Sequence, residues 1–334
     1  MYIGMDTHKR YSQVAVMKSD GTLVDERRIN HATEKTELEA FAVEFADSRV
    51  AIEATGHYRP IYETLDEHMD VTLVNPSKTR AIAEAKVKND RLDAKVLAHL
   101  LRANLVAESY VPPKDIRQER DLVRTRKALV ESRTREKNRV RAVLARTGND
   151  YDKELFGPTG EAYLRTLDLT EIDRVVLEAH LGVIDELDGQ IVTLDEAIEE
   201  VAISRTATQL LMTIPGVSYY SSVLITAEIG EIDRFPTAKH LVSYAGLDPT
   251  VRQSGDRELR GGISKAGTAS LRWILVQCAN VAIRYDRYLK DYYRRLEQRK
   301  GHNIAIVATA RKMLVAMYHM LTREEIWKPP EPAA

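Results

Sequence analysis

Leu177, Ile184, Ile191 and Ile198 recur every seventh residue, and Leu187, Leu194 and Val201 form a second row offset by three. A strand repeats every two residues, so this spacing excludes one. Over about three heptads it predicts a long helix, 171–201, whose apolar seam must lie against another helix. The stretch is also strongly signed: residues 171–200 hold 10 Asp/Glu against one Arg. Residues 117–146 hold 11 Lys/Arg against 4 Asp/Glu, inside a second helical stretch predicted at 115–146. Gly148 and the Gly157-Pro158 pair break the chain between the two. A helical hairpin or coiled-coil arm fits, its acidic helix pairing with the basic one within a chain or between chains. A dimer formed through the seam is the expectation.

The 104 residues at the start follow a different rule. Tyr2-Ile3-Gly4-Met5, Gln13-Val14-Ala15-Val16-Met17 and the segment 22–28 read as three strands, with Ser19-Asp20-Gly21 as a turn. A helix at 37–45, a strand Arg49-Val50-Ala51-Ile52-Glu53, a helix at 59–69, a strand Val71-Thr72-Leu73-Val74 and a helix at 92–105 follow. Three antiparallel strands and then alternating helices and strands predict an α/β domain with a mixed sheet. Val111-Pro112-Pro113 marks its end. From 207 onward the chain reads as helical, with Ile214-Pro215-Gly216-Val217 resembling half of a helix-hairpin-helix, an element that holds phosphate on backbone N–H groups. A polar, Gly-rich loop is predicted at 251–267, then two helices from about 269 and 303, and a loose tail at 327–334. Three regions result: 1–110, 111–204 and 205–325.

The net charge of −1, from 49 basic and 50 acidic side chains, hides these signed blocks; residues 252–300 carry 12 Lys/Arg against 5 acids. With 44% hydrophobic and 30% charged residues, the 334-residue chain is neither a disordered tail nor a membrane protein. Its longest apolar run, 304–321, is cut by Arg311 and Lys312. The start, MYIGMDTHKR, lacks the regions of a signal peptide. A single cysteine, Cys278, excludes an internal disulfide and a multi-cysteine zinc site. A cytoplasmic protein without a membrane partner is expected.

Three constellations carry chemistry. Asp6 sits on the first strand, Glu53 ends the fourth, and Asp90 and Asp93 lie three apart on one face of a helix start. Gathered at a sheet edge, four carboxylates repel one another and require a cation, for which Mg²⁺ or Mn²⁺ is suited. Taken singly, each acid also fits a turn or a helix cap. The second constellation runs from Arg252 through Ser254-Gly255, Arg257 and Arg260 to Ser264 and Lys265. It combines hydroxyls, phosphate-approaching glycines and neutralising cations, and it also fits a basic loop that merely touches nucleic acid. The third interleaves Tyr285, Tyr288, Tyr292 and Tyr293 with Arg284, Arg287, Lys290, Arg294 and Arg295. That suits nucleic-acid contact, and equally an amphipathic helix with half-buried tyrosines.

Ile3-Gly4-Met5-Asp6, Ile52-Glu53-Ala54-Thr55-Gly56, Val74-Asn75-Pro76 and Lys88-Asn89-Asp90-Arg91-Leu92-Asp93-Ala94, followed by Ile214-Pro215-Gly216-Val217, Tyr244-Ala245-Gly246-Leu247-Asp248-Pro249, Ser254-Gly255 and Ser264-Lys265-Ala266-Gly267, resemble in order and spacing the DEDD-type insertion-sequence transposases (the IS-one-ten family). The resemblance covers about residues 2–322. It implies an RNase H-like (RuvC-like) α/β domain, a coiled-coil arm and an all-helical C-terminal transposase domain. It also implies a recombinase of donor and target DNA guided by a structured bridge RNA, assembling from homodimers into a tetramer at the nucleoid of a prokaryotic cell. Carried over by position, Asp6, Glu53, Asp90 and Asp93 hold Mg²⁺ or Mn²⁺, and Ser254 attacks a DNA phosphate to form a phosphoserine link. Arg252, Arg257, Arg260 and Lys265 contact nucleic acid. Ser264 is read as a cap of the helix that follows. Asn89 stands where relatives often have threonine, and the loop from Ser254 to Ser264 is a residue shorter than in some of them. The metal and the hydroxyl then lie in different regions and meet by domain docking or across a subunit interface.

Three other readings remain. A metal-dependent, structure-specific nuclease such as a junction resolvase needs the four acids and not Ser254. An actin-like or sugar-kinase ATPase shares Asp6-Thr7 and Asp20-Gly21, but needs a second sheet domain where helices follow here. A coiled-coil scaffold leaves the four acids without a purpose.

Overall fold

A computed structural model of the chain describes residues 1–31, 36–75, 79, 89–254 and 257–329; the side chains of 251–260 lie outside that description. The chain divides into two compact units, Met1–Val111 and Pro112–Ala334.

In the first unit, β1 (Tyr2–Thr7), β2 (Tyr11–Met17) and β3 (Leu23–Asn30) form an antiparallel meander. Then come α1 (Thr36–Glu44), β4 (Arg49–Glu53), α2 (Tyr58–Asp66), β5 (Asp70–Val74) and α3 (Asp90–Arg102). The sheet order is β3-β2-β1-β4-β5, with β1-β4 and β4-β5 parallel. This is the mixed sheet that the sequence order predicts. Strand alternation sorts the side chains between two layers. Ile3, Met5, Val14, Val16, Val50, Ile52 and Leu73 are buried against Leu38, Phe41 and Ala42 of α1 and Ile61 and Leu65 of α2. Ala51 and Val74 point the other way, under Leu97 and Leu101 of α3.

Gly4 shares that second face. A Cβ there would stand 2.0 Å from the Ala94 carbonyl oxygen and 2.4 Å from the Ala98 nitrogen, both backbone atoms of α3. The helix therefore lies directly on β1, which Gly4, Ala94 and Ala98 make possible. Lys95 and Arg91 fix it sideways through Glu26 on the edge strand, at 2.7 and 3.7 Å.

The second unit starts with α4 (Lys114–Arg146), α5 (Pro158–Thr166) and α6 (Glu171–Ser204). Leu177 and Ile184 of the seam are buried with Val140, Val143 and Leu144 of α4, and Ile198 with Val123. Arg126 pairs with Asp195, Arg133 with Asp188, Glu136 with His180 and Arg146 with Asp173. The pairing runs antiparallel, so the seam's partner is the chain's own basic helix. Gly157-Pro158 both ends one segment and begins α5, with proline in the first turn, where its missing N–H costs nothing.

The remaining elements are α7 (Thr206–Met212), α8 (Tyr219–Ile229), a 3₁₀ turn (Ile232–Arg234), α9 (Ala238–Tyr244), β6 (Pro249–Ser254), β7 (Arg257–Ile263), α10 (Ala269–Tyr285), α11 (Arg287–Lys300) and α12 (His302–Arg323). Two expectations are corrected here. The region is not all-helical: β6 and β7 pair antiparallel where a loop was predicted. The stretch after 269 holds three helices, because Asp286 adopts an extended backbone and caps α11 by accepting from the Leu289 N–H at 2.8 Å. Among the described residues α12 is the one helix long and apolar enough to cross a membrane, yet half of it is buried inside the unit. Trp327, expected in a loose tail, donates its indole N–H to Asp286 at 2.8 Å; residues 330–334 lie outside the described residues.

Candidate functional site

The strand period places Asp6 on the face of Gly4, under the start of α3, and Glu53 on the face of Ala51. Met5 pairs with Ile52, so Asp6 and Glu53 end adjacent parallel strands. Asn89 caps α3 by accepting from the Arg91 N–H at 3.1 Å, which sets the first turn carrying Asp90 and Asp93. The close contact at Gly4 thus brings the helix start to the strand end.

His8, two residues beyond Asp6 and on the same face, sits between the acids. Its Nε2 is 3.2 Å from Asp6 Oδ2 and 3.3 Å from Asp90 Oδ2. One ligand atom from each of Asp6, His8 and Asp90 falls within 4.8 Å of the others. Tyr11 donates its hydroxyl to Asp90 Oδ2 at 3.0 Å, and Arg28 stacks 3.5 Å over its ring. Among the described residues Asp6 has no lysine or arginine partner. Burial pushes its carboxyl above the usual carboxylate range, His8 opposes the shift, and Asp90 and Asp93 add to it. Such a group is stabilised as the anion by a bound cation. Carboxylate oxygens with one imidazole suit a divalent ion.

The structure therefore brings Asp6 and Asp90 together, with Asp93 close enough to act on Asp6. Glu53 ends the neighbouring strand and engages in interactions of its own. His8, Tyr11 and Gly4 were missed in the sequence. The signal for His8 was Asp-x-His at a strand end, where the tight turn into β2 keeps the two side chains close.

In the second unit, Ser254 is the last residue of β6 and pairs with Arg257 across the hairpin. The side chains of Ser254, Arg252, Arg257 and Arg260 lie outside the described residues. Lys265 is exposed at the hairpin's foot, in a left-handed conformation (φ 54°). The foot is clamped by Asp248, which accepts from Ser264 Oγ at 2.6 Å and from Ser243 Oγ at 3.2 Å. Gly246 (φ 65°) crosses there; its Cβ would meet the Ala266 carbonyl oxygen at 2.1 Å. The expectation that Ser264 caps the next helix is corrected: α10 begins at Ala269, with Thr268 in the cap position, and Ser264 serves Asp248 instead.

The helix start after Gly216 is closed by its own side chains. Ser218 accepts from the Ser221 N–H, and Ser221 accepts from the Ser218 N–H. Of the four tyrosines, Tyr285 is 76% exposed, Tyr293 is buried, and Tyr288 and Tyr292 flank Lys312 at 4.9 and 4.5 Å. One ring is thus open for stacking, beside the exposed Arg284, Arg287, Arg294 and Arg295.

Comparison with known proteins gives a consistent picture. A transposase model of the DEDD type matches residues 3–149, and a model described as Transposase IS116/IS110/IS902 family matches residues 208–294. The chain is 28% identical to the transposase for insertion sequence element IS1111A of Coxiella burnetii, across 98% of this chain and 91% of that protein. It is 27% identical to a probable family 20 transposase of Pseudomonas aeruginosa, across 98% of both. It is 28% identical to the pilin gene-inverting protein of Moraxella bovis, across 81% of this chain and 79% of that one.

Proposed function

The chain belongs to the IS110 family of transposases, and from that premise we propose that it cuts and rejoins DNA strands through a serine-linked intermediate, with a divalent metal ion. The observation that carries the metal part is Asp6: a carboxylate withdrawn from water, facing Asp90 and Asp93, with the His8 imidazole beside it at 3.2 Å. Asp6, Asp90 and Asp93, with Glu53 at the neighbouring strand end, hold Mg²⁺ or Mn²⁺. Such an ion polarises a phosphodiester and stabilises the charge that develops on it. Tyr11 orients Asp90, and α3 holds both aspartates of its first turn.

Ser254 is the nucleophile of this reading. Its oxygen forms an ester to phosphorus as the bond from phosphorus to one deoxyribose oxygen breaks. The serine loses a proton and the released sugar hydroxyl gains one. The number of phosphate esters is unchanged, so a second strand's hydroxyl can reverse the step and rejoin DNA without a nucleotide cofactor. An unassisted serine is a poor nucleophile; Arg252, Arg257, Arg260 and Lys265 lower the barrier by stabilising charge on the phosphate. Support is the position of Ser254 at a hairpin end whose foot Asp248 fixes. A structured guide RNA, a homodimer that assembles to a tetramer, and a cytoplasmic site of action complete the proposal, on the family resemblance.

The test traps the protein on a nicked suicide DNA substrate and maps the adduct by peptide mass. The expected adduct is on Ser254, and Ser254→Ala should keep DNA binding while losing cleavage. An adduct on Ser264 or a tyrosine would overturn the assignment. Normal-rate cleavage by Ser254→Ala, with free ends, would favour the second reading, a metal-dependent junction nuclease that uses the acids alone.

A further inference from the structure

We propose that His8 is a ligand of the divalent ion, giving this centre one nitrogen donor and a preference for Mn²⁺ over Mg²⁺. The inference rests on the metal reading above and goes beyond it in naming a donor outside the four acids.

Three features point to this role. The first is distance. Cis ligands of an octahedral ion with bonds of about 2.0–2.2 Å stand about 3 Å apart. His8 Nε2 stands 3.2 Å from Asp6 Oδ2 and 3.3 Å from Asp90 Oδ2. An ion can therefore enter among these atoms with small adjustments of the side chains. The second is placement. β1 and β2 are joined by a three-residue turn, and the His8 N–H donates to the Tyr11 carbonyl at 2.9 Å, closing it. The backbone at His8 is thus fixed beside the strand end, where its ring meets the Asp6 carboxylate. The Tyr11 ring lies 4.6 Å from the imidazole, limiting how the latter can turn. The third is access. The His8 side chain is 39% exposed and that of Asp90 is 46% exposed, so an ion reaches the cluster from water.

Nitrogen ligation needs the neutral ring, with the proton on Nδ1 and the lone pair on Nε2. Mg²⁺ prefers oxygen ligands and surrenders its waters reluctantly. Affinity of a site containing nitrogen rises toward the transition metals. An imidazole in the set therefore biases the centre toward Mn²⁺, where an all-carboxylate centre would accept either ion.

The experiment titrates Mn²⁺ into the full chain without DNA and records pulsed electron paramagnetic resonance, which detects a ¹⁴N nucleus bonded to the metal. Wild type should show imidazole nitrogen coupling. His8→Ala and His8→Asn should lose it, bind Mn²⁺ at least about tenfold more weakly, and discriminate less between Mn²⁺ and Mg²⁺ in competition. A tenfold loss is what disturbing even an outer-shell partner brings. His8→Asn keeps a polar side chain at the turn, so unchanged thermal unfolding of the metal-free variant separates lost ligation from lost fold. Mn²⁺ bound to wild type without nitrogen coupling, or coupling that survives in both variants, overturns the role of His8 and leaves the carboxylate centre standing. Failure of wild type to bind Mn²⁺ overturns both.

Discussion

Glu228, near the end of α8, is 1% exposed and meets the Arg124 guanidinium through two hydrogen bonds of 2.9 and 3.0 Å. Arg120 adds bonds to the neighbouring Ala227 and Glu228 carbonyls, at 2.5 and 3.1 Å. Asp6, at the end of β1, has a side chain only 15% exposed, yet it faces further carboxylates and an imidazole. Both acids are withdrawn from water. One carries its counter-charge in the fold, as a buried acid must if its only task is structural. The other is left short of positive charge, a state that a fold holds where an ion or a substrate supplies the rest. The arginine-paired acid ties α4 to α8; the other, with only an imidazole beside it among the described residues, lies at the strand end where the metal is proposed.

Removing the counter-charge from Glu228 should have the largest effect on stability. Arg124→Ala leaves a buried carboxylate unpaired, which costs about 3 kcal/mol, the low end for a broken buried pair because Arg124 itself is half exposed. Chemical denaturation of the second unit measures it, and a change under 1 kcal/mol would mean that water replaces the arginine. Next comes Gly4→Ala, which strikes the placement of Asp90 and Asp93 beside Asp6. Its new Cβ overlaps backbone atoms of α3. Overpacking of this kind costs about 1–3 kcal/mol. Strand transfer should fall further than stability does, because Asp90 and Asp93 move with the helix. A variant equally stable and fully active would show that α3 shifts without disturbing the centre.

Asp6→Asn is the smaller and opposite case. The Asp6 carboxyl is raised above its unfolded value near 3.8. Its favourable contribution is therefore complete below that value and is lost as pH rises through the folded pKa. Metal-free wild type should lose stability relative to Asp6→Asn across that interval, so the variant should melt higher at neutral pH while being inactive. Melting curves of the two proteins between pH 4 and pH 8 compare them directly; parallel curves would place Asp6 among adequately paired acids.

The sheet was legible because alternation, the turn at Asp20-Gly21 and short apolar strands all agree on it. That Asp6 comes near Asp90 and Asp93 was legible because strand end and helix start impose their own faces. The charge of α4 and α6 announced their pairing, although not that it closes within one chain. The hairpin of Ser254 escaped, since Arg, Gly and Ser dominate it and few β-branched residues mark its strands. His8 escaped because its closeness to Asp90 depends on α3 descending onto Gly4, a contact between positions some ninety residues apart. Ser264 was misassigned because a hydroxyl before a helix reads as a cap, whereas Asp248, sixteen residues earlier, claims it.

The most direct test of the divided roles of these acids is the thermal midpoint of the metal-free protein with Mg²⁺ or Mn²⁺ added, for wild type, Asp6→Asn and Arg124→Ala. At a free ion concentration a hundredfold above Kd, binding stabilises the folded state by about 2.7 kcal/mol. Wild type and Arg124→Ala should both gain that stability and Asp6→Asn should not. An equal gain in all three proteins, or none in wild type, would contradict a cation site at Asp6.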